Sequence, residues 1–415
     1  MESIPQAVVR INPGDPTAFT QVLALPDVEV TALERTAAPP QLTLHCRVRP
    51  HPVVCPRCGV PTNALHQYHR RLIRDCAWAG TPTYLRLTRR RLRCGDCAFV
   101  FLEPCAAVAP WATTTRRYAA YLVECCRDTS LAAVARREAV GYKLVEGLYY
   151  AAAAARYPGG PPAEPVMALG VDEIAARKGH GDFKLVVVNL ATGAVIEQLP
   201  ARDKETLRAY FAAWPPELRA QVQEMTADFW AAYHEVAADL FPQARRTGDR
   251  FHVQKQVNEA LNQTRIAERR GRPTAERAEL GELRGTLLRN GVDLDTDDRA
   301  WVREAGQVYP ALGVAYDLKE RLRRMYEEAP SRQGAAVRLG WWVKKARASG
   351  LKAFEKLAEF MDRWWDTILN YFVARRTNGR VEGCNNKIKL IKRRAYGFTN
   401  DSHFRLRVLM ECDGT

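Results

Sequence analysis

Residues 156–165 read Arg-Tyr-Pro-Gly-Gly-Pro-Pro-Ala-Glu-Pro. Each proline removes a backbone donor and fixes φ, and the glycine pair adds conformational freedom, so neither a helix nor a strand runs through this stretch. A chain of 415 residues interrupted here builds separate cores on either side, in keeping with about two to four domains for its length. Lys and Arg number 62 against 47 Asp and Glu, a formal net charge of +15, and such an excess points to a polyanionic partner, nucleic acid first of all. The basic residues are spread over several segments instead of one amphipathic helix, which argues against a membrane-surface protein. The amino terminus carries no apolar run of signal-peptide length and no later stretch is long and uncharged enough to span a bilayer, so a cytoplasmic, nucleoid-associated location and no membrane partner are expected.

Before the interruption, alternating segments Leu42-Thr-Leu-His-Cys-Arg-Val-Arg49 and Tyr84-Leu-Arg-Leu-Thr-Arg-Arg-Arg-Leu-Arg93 predict two strands, each leading to a Cys-x-x-Cys turn. Those turns, Cys55-Pro-Arg-Cys58 and Cys94-Gly-Asp-Cys97, let both sulfurs of each pair reach one ion, and four thiolates make a structural Zn²⁺ site. Cys46, Cys76, His66 and His69 lie nearby as competing ligands, but paired spacing favours the four cysteines. Residues 1 to about 40 show little periodicity and read as a leader with one strand at most. Residues 1–106 are therefore expected to form a zinc-binding β domain. In residues 107–157, Ser130-Leu-Ala-Ala-Val-Ala-Arg-Arg-Glu-Ala-Val-Gly-Tyr-Lys-Leu-Val-Glu reads as helix, turn at Gly141 and helix. That is the arrangement of a helix-turn-helix DNA-binding domain, in which Arg136, Arg137, Tyr142 and Lys143 would meet DNA.

After the interruption, strands are expected at 166–172, 183–190 and 194–199, then a helix at 204–213, a strand at 221–228, a helix at 230–240, a short strand at 245–247 and a helix at 251–264. The order β-β-β-α-β-α-β-α is that of an RNase H-like core, whose first part would be residues 166–264. In that order the first and fourth strands are neighbours, so Asp172, closing the first, and Asp228, closing the fourth, can share a metal. The rival roles are a turn former for Asp172 and a helix N-cap for Asp228. Residues 265–371 read as a charged helical insertion. Its tryptophan pairs, Trp341-Trp342 and Trp364-Trp365, read mainly as core. The last segment, 372–415, holds a helix on which Glu382, Asn385, Asn386, Lys389 and Arg393 share one face while Val381, Cys384, Ile388 and Ile391 form an apolar stripe on another. An acid on that face is placed to ligate metal, and Lys387, Lys389, Lys392, Arg393 and Arg394 to grip phosphates beside it.

With these residues in view, the chain resembles the ISL-three family of bacterial insertion-sequence transposases, which carry a DDE catalytic domain. The resemblance runs through the paired cysteine turns, His66-Gln-Tyr-His-Arg-Arg-Leu-Ile-Arg-Asp75 with Trp78-Ala-Gly80, Ser130-Leu-Ala-Ala-Val-Ala135, Gly170-Val-Asp-Glu-Ile-Ala-Ala-Arg-Lys-Gly-His180, Asp249-Arg-Phe-His-Val253 and residues 378–398. Departures are Cys384 inside the glutamate helix and Cys76. The resemblance implies that Asp172, Asp228 and Glu382 are the catalytic triad, holding two Mg²⁺ (or Mn²⁺) ions, and that the helical insertion is the one such enzymes carry before the last acid. His252 is a secondary candidate, orienting water or the scissile phosphate, or else capping and packing at a helix start. The expected function is binding of the terminal inverted repeats by a homodimer or higher oligomer on double-stranded DNA, followed by metal-dependent cleavage and strand transfer to target DNA. One ion would activate water and later a 3′-hydroxyl, and the other would stabilise the departing 3′-oxygen. The alternatives are a catalytically silent DNA-binding regulator of transposase descent and a structure-selective nuclease.

Overall fold

The computed structural model describes residues 8–11, 16–176 and 181–414. Positions 177–180 of the Gly170–His180 motif therefore lie outside the described residues. The chain is a mixed α/β protein that divides into two compact units, 1–152 and 153–415.

The first unit is built on one sheet. Its elements are β1 (Val8–Ile11), α1 (Pro16–Leu23), β2 (Val28–Ala37), β3 (Pro40–Val48), the short pair β4 (Val53–Val54) and β5 (Pro61–Thr62), β6 (Leu65–Trp78), β7 (Thr81–Arg93) and β8 (Val100–Leu102). The strand order is β1-β2-β3-β7-β6, with β8 paired to β7. The anticipated strands at 42–49 and 84–93 are β3 and β7, and they pair in parallel from Leu42 opposite Thr83 to Arg47 opposite Thr88. The first 40 residues hold more than a leader with one strand, because β2 pairs with β3 along its length. Val28 and Val30 point inward with Leu44, Leu85 and Leu87, and that alternation is what places β2 in the sheet. Three helices follow: α2 (Arg116–Cys125), α3 (Leu131–Arg137) and α4 (Tyr142–Arg156). Ser130 caps α3 by accepting from the Ala133 amide at 3.2 Å. The turn from α3 to α4 puts Ala139, not Gly141, in the left-handed region, at φ 51°.

The second unit opens with β9 (Ala168–Ala175), β10 (Phe183–Asn189), β11 (Val195–Leu199), α5 (Lys204–Ala212), α6 (Pro216–Gln221), β12 (Glu224–Ala227), α7 (Ala231–Leu240), β13 (Arg245–Gly248) and α8 (Arg250–Arg269). Its sheet runs β11-β10-β9-β12-β13, with β10 antiparallel to both its neighbours and β9, β12 and β13 mutually parallel. The helix α6 takes up the start of what the sequence suggests as one strand from 221, since Pro216 suits the first turn of a helix. One face of the sheet buries Leu169, Val171, Leu185 and Val187 with Phe211, Trp214, Tyr233 and Phe241. The other buries Ala168, Val186 and Val188 with Val381, Ile388 and Phe404. Between α8 and the last helices lies a helical body of α9 (Thr274–Leu288), α10 (Thr296–Val308), α11 (Pro310–Glu328), α12 (Arg332–Arg347), α13 (Lys352–Arg363) and α14 (Trp365–Ala374). It shares a continuous core with α8 that includes Val253, Leu283, Leu322, Trp342, Phe354 and Leu369. The chain then returns to the sheet as α15 (Gly379–Arg394) and α16 (Asp401–Glu411). No described helix is long and apolar enough to cross a membrane.

Candidate active site and metal sites

The parallel ladder between β9 and β12 pairs Ala168 with Glu224, Leu169 with Met225 and Gly170 with Thr226. Two residues further on at the same offset, Asp228 stands level with Asp172. Asp172 does not close its strand as the sequence suggests. Strand β9 runs on to Ala175 against β10, and the place where Asp172 opens to solvent is set by the end of β12 at Ala227. Asp172 shares its sheet face with its ladder partner Val186, the face on which α15 packs.

A missing methyl group lets α15 come this close. A Cβ on Gly170 would stand 2.4 Å from Cγ2 of Val381, so only glycine allows the first turn of the helix to lie on β9. Three positions of one helix stripe then follow in register. Asn378 donates from Nδ2 to the Val171 carbonyl at 3.4 Å, and Asn385 donates from Nδ2 to Oδ2 of Asp172 at 2.9 Å. Glu382 lies between them, four residues after the first and three before the second, and so faces the same way. Its side chain is exposed and makes no hydrogen bond or ion pair among the described residues. The stripe Val381, Cys384, Ile388 and Ile391 is buried, as its spacing predicts.

Asp172 and Asp228 are held by neutral amide donors. Burial pushes the Asp172 carboxyl up to about 6, and the charges of Glu173 and Asp228 push the same way against the amide of Glu173. Asp228 is not the N-cap of α7, whose cap is Trp230. Its Oδ1 accepts from the Trp230 amide at 3.2 Å, and its own carbonyl accepts from Nε2 of His234 at 2.7 Å. Burial lowers the His234 imidazole below its ordinary range, so the ring is neutral and carries its proton on Nε2, the nitrogen facing that carbonyl. The ring of His234 also lies 4.8 Å from Trp364, and Phe229 meets Phe360 and Trp364 at 4.9 and 5.5 Å. Glu173 points away, as its alternation predicts, bound by the Tyr233 hydroxyl at 3.1 Å and by Arg202 at 2.9 Å. Of the two roles the sequence left open for His252, the contact at the helix start is the one seen. His252 contacts the cap residue Asp249 through Nδ1 at 3.1 Å, and its pKa is raised first by that bond and further by the charges of Asp228 and Asp172.

The basic residues after Glu382 divide. Lys392 donates to the Ala175 carbonyl and Arg394 pairs with Glu411, whereas Lys389 and Arg393 are exposed and Lys387 is half-buried. On α3 and α4, Arg136, Arg137, Tyr142 and Lys143 are all exposed. Arg137 pairs with Glu138, and Lys143 with Glu146 at 2.7 Å.

In the first unit the four thiols of Cys55, Cys58, Cys94 and Cys97 lie within 4.8 Å of one another. Cys46, Cys76, His66 and His69 are outside that group. The closest sulfur pairs, Cys55 to Cys97 and Cys58 to Cys94, are 3.6 and 3.4 Å apart. Tetrahedral zinc with Zn–S near 2.3 Å sets its sulfurs about 3.8 Å apart, so the cage fits that ion. Both turns are built alike. The Cys55 carbonyl accepts from the Gly59 amide at 2.9 Å and that of Cys94 from the Ala98 amide at 3.1 Å, with Gly59 and Ala98 both at positive φ. The carboxylates are the other kind of ligand. Hard oxygen donors suit Mg²⁺ or Mn²⁺, and the buried Oδ1 of Asn385, which lacks a hydrogen-bond partner among the described residues, leaves a further oxygen beside Asp172.

Neither Asn385 nor His234 is given a role by sequence alone. The helical-wheel position of Asn385 beside Glu382 was the available signal, while the contact from His234 to a backbone carbonyl leaves none. Residues 169–408 match the family described as transposase, of the DDE type and the ISL-three group (ISL3), and residues 51–97 match the zinc finger of the transposases of IS204, IS1001, IS1096 and IS1165. The chain is 30% identical over 375 residues to the transposase for insertion sequence element IS1001 of Bordetella parapertussis, covering 88% of this chain and 90% of that one. It is 27% identical over 389 residues to the transposase for insertion sequence element IS1557 of Mycobacterium tuberculosis H37Rv, covering 85% and 84%. The chain belongs to the ISL-three family of DDE transposases.

Proposed function

We propose that this transposase binds the inverted repeats at the ends of its insertion sequence and cuts and joins DNA at Asp172, Asp228 and Glu382, which together hold a pair of Mg²⁺ or Mn²⁺ ions. The observation that carries the reading is the level placement of Asp172 and Asp228 at adjacent parallel strands, with α15 docked through Asn385 on Asp172; Glu382, three residues before Asn385 on that helix, supports the third ligand. The strand order β11-β10-β9-β12-β13, three antiparallel strands followed by two parallel ones, supports an RNase H-like core of residues 166–264 and 372–415, with residues 265–371 inserted before the last acid. When bound, the ions supply an activated oxygen nucleophile and charge relief at the departing 3′-oxygen. The protein's part is positional. Asn385 fixes the rotamer of Asp172, His234 fixes the backbone at Asp228, and His252, drawn toward the charged form by three aspartates, is placed to hold a phosphate oxygen or a water. Lys387, Lys389 and Arg393 extend the helix as a phosphate-gripping track.

In residues 107–157, the helices α3 and α4 joined by a four-residue turn support a helix-turn-helix, with Arg136, Arg137, Tyr142 and Lys143 toward DNA. Zinc on the four cysteines is structural in residues 1–106, since all four positions are filled by protein and none is left for substrate. The active form is a homodimer or higher oligomer on DNA, which two element ends require.

The test is cleavage of a duplex carrying the inverted repeats that bound this gene. Strand nicking at the repeat ends with Mg²⁺, none with EDTA, and retained binding but no nicking by Asp172→Asn supports the reading. Equal cutting of branched DNA that lacks the repeats, or binding with no cutting by the wild type, refutes it.

A further inference from the structure

Strands β6 and β7 form a long hairpin whose two faces differ. One face, carrying Ile73, Leu85 and Leu87, packs into the core of the first unit. On the opposite face the ladder sets Tyr68 across from Arg90, Arg70 from Thr88 and Leu72 from Arg86, and β3 adds Arg47 beside Thr88 and His45 beside Arg86. At one end this face is closed by α2. There the Arg74 guanidinium is buried over the rings of Tyr84 and Tyr118, at 4.7 and 5.5 Å. At the other end, toward the cysteine turns, the face is open. Tyr68 is 59% exposed and Leu72 50%, and Arg70 and Arg86 are exposed between them.

The acids near this open face are already engaged. Glu29 receives both arms of Arg47 at 3.1 Å, Glu34 contacts His45 at 3.1 Å, and Glu103 binds Arg90 at 2.8 Å. The side chains of Arg70 and Arg86 make no hydrogen bond or ion pair among the described residues. They stand one diagonal step apart on the ladder, about 7–8 Å between Cα atoms. Two unpaired guanidiniums this close repel each other, and two large apolar side chains in water gain nothing there. A polyanion with apolar edges relieves both conditions.

We infer that the open face of the β6–β7 hairpin is a second DNA-binding surface, separate from α3 and α4. It takes the backbone of duplex DNA, with Arg70 and Arg86 on phosphates and Tyr68 and Leu72 against sugars. Such contacts anchor the duplex and read no sequence. The inference rests on the proposed reading of DNA as the partner, and the experiment separates the two.

The probe is a fluorescent 30-base-pair duplex of mixed sequence, titrated with the full-length protein at several KCl concentrations. For Arg70→Gln/Arg86→Gln, loss of two phosphate contacts lowers the slope of log K against log salt by about 1.8 and the affinity at moderate salt by about tenfold or more. Arg70→Lys/Arg86→Lys keeps the slope. Zinc content and circular dichroism report whether the double variant is folded; if it is not, each single variant shows a slope lower by about 0.9. A wild-type slope in folded glutamine variants overturns the inference while leaving the DNA reading intact. A change confined to sedimentation overturns it too, and assigns the face to a second copy of this chain. Failure of the wild type to bind the duplex removes the reading beneath it.

Discussion

The four cysteines and the three carboxylates, which we propose hold metal ions, are assembled differently. Four thiols already stand within 4.8 Å of one another, whereas among the described residues the three acids do not reach that closeness. Thiols hold their protons to higher pH than carboxylates, so packing gathers them at lower electrostatic cost. Gathering carboxylates without a cation costs energy through burial and mutual repulsion, and at Asp172 burial is the larger cause of the raised pKa, with the charges of Glu173 and Asp228 adding to it. The thiols are therefore already gathered by the fold, while the carboxylates are fixed through their supports, Asn385 beside Asp172 and the Trp230 amide beside Asp228.

The strongest way to break this contrast is to remove the carboxylates. Asp172→Asn, Asp228→Asn and Glu382→Gln are each expected to lower Mg²⁺-dependent cleavage by about 10³-fold or more, with duplex affinity within about threefold of wild type; a loss of binding equal to the loss of cutting would mean that these residues serve the fold. Next comes the cage. Cys55→Ser or Cys94→Ser should release zinc, measured by metal analysis, and weaken DNA binding by about 10²-fold through loss of the first unit's order. Zinc-free protein with unchanged affinity would show that the cage needs no metal. A smaller change sharpens the account of the supports. Asn385→Ala should weaken Mn²⁺ binding, followed by electron paramagnetic resonance, by about 10–100-fold with the fold intact. The smallest effect has the opposite sign. The native Asp172 carboxyl titrates near 6 instead of 3.8, so the native state holds the proton more tightly than the unfolded chain. Its ionisation costs stability fully above about 6 and not at all below about 3.8. Metal-free Asp172→Asn should accordingly be more stable than wild type by about 1–2 kcal/mol at neutral pH, after discount for its partial exposure. That gain should shrink in denaturant melts as pH falls through 6.

Much of this was legible in the sequence because the relevant signals are local. The alternation in 42–49 and 84–93, the spacing of the cysteine turns and the apolar stripe of α15 each depend on neighbours in the chain, and the strands and helices fall where those patterns put them. Illegible were features created by distant partners. The second strand is a case: Val28-Glu-Val-Thr-Ala alternates, but its place was set by pairing with β3. Likewise the position of Asp172 within its strand depends on where β12 ends, which nothing near residue 172 records. Gly170 reads as an ordinary strand glycine until Val381, more than two hundred residues later, comes to rest against it. The engagement of Lys392 and Arg394 inside the protein was hidden for the same reason, since Ala175 and Glu411 are reached only through the fold.

Trp364 belongs to the helical body, yet its ring rests on the histidine that steadies the backbone of Asp228. The helical body is thus mechanically joined to the segment around Asp228, and shortening it is expected to loosen an aspartate with which it forms no ion pair among the described residues. Chimeras that exchange this body between related transposases should remain active only when Phe229, His234 and Trp364 travel as a matched set.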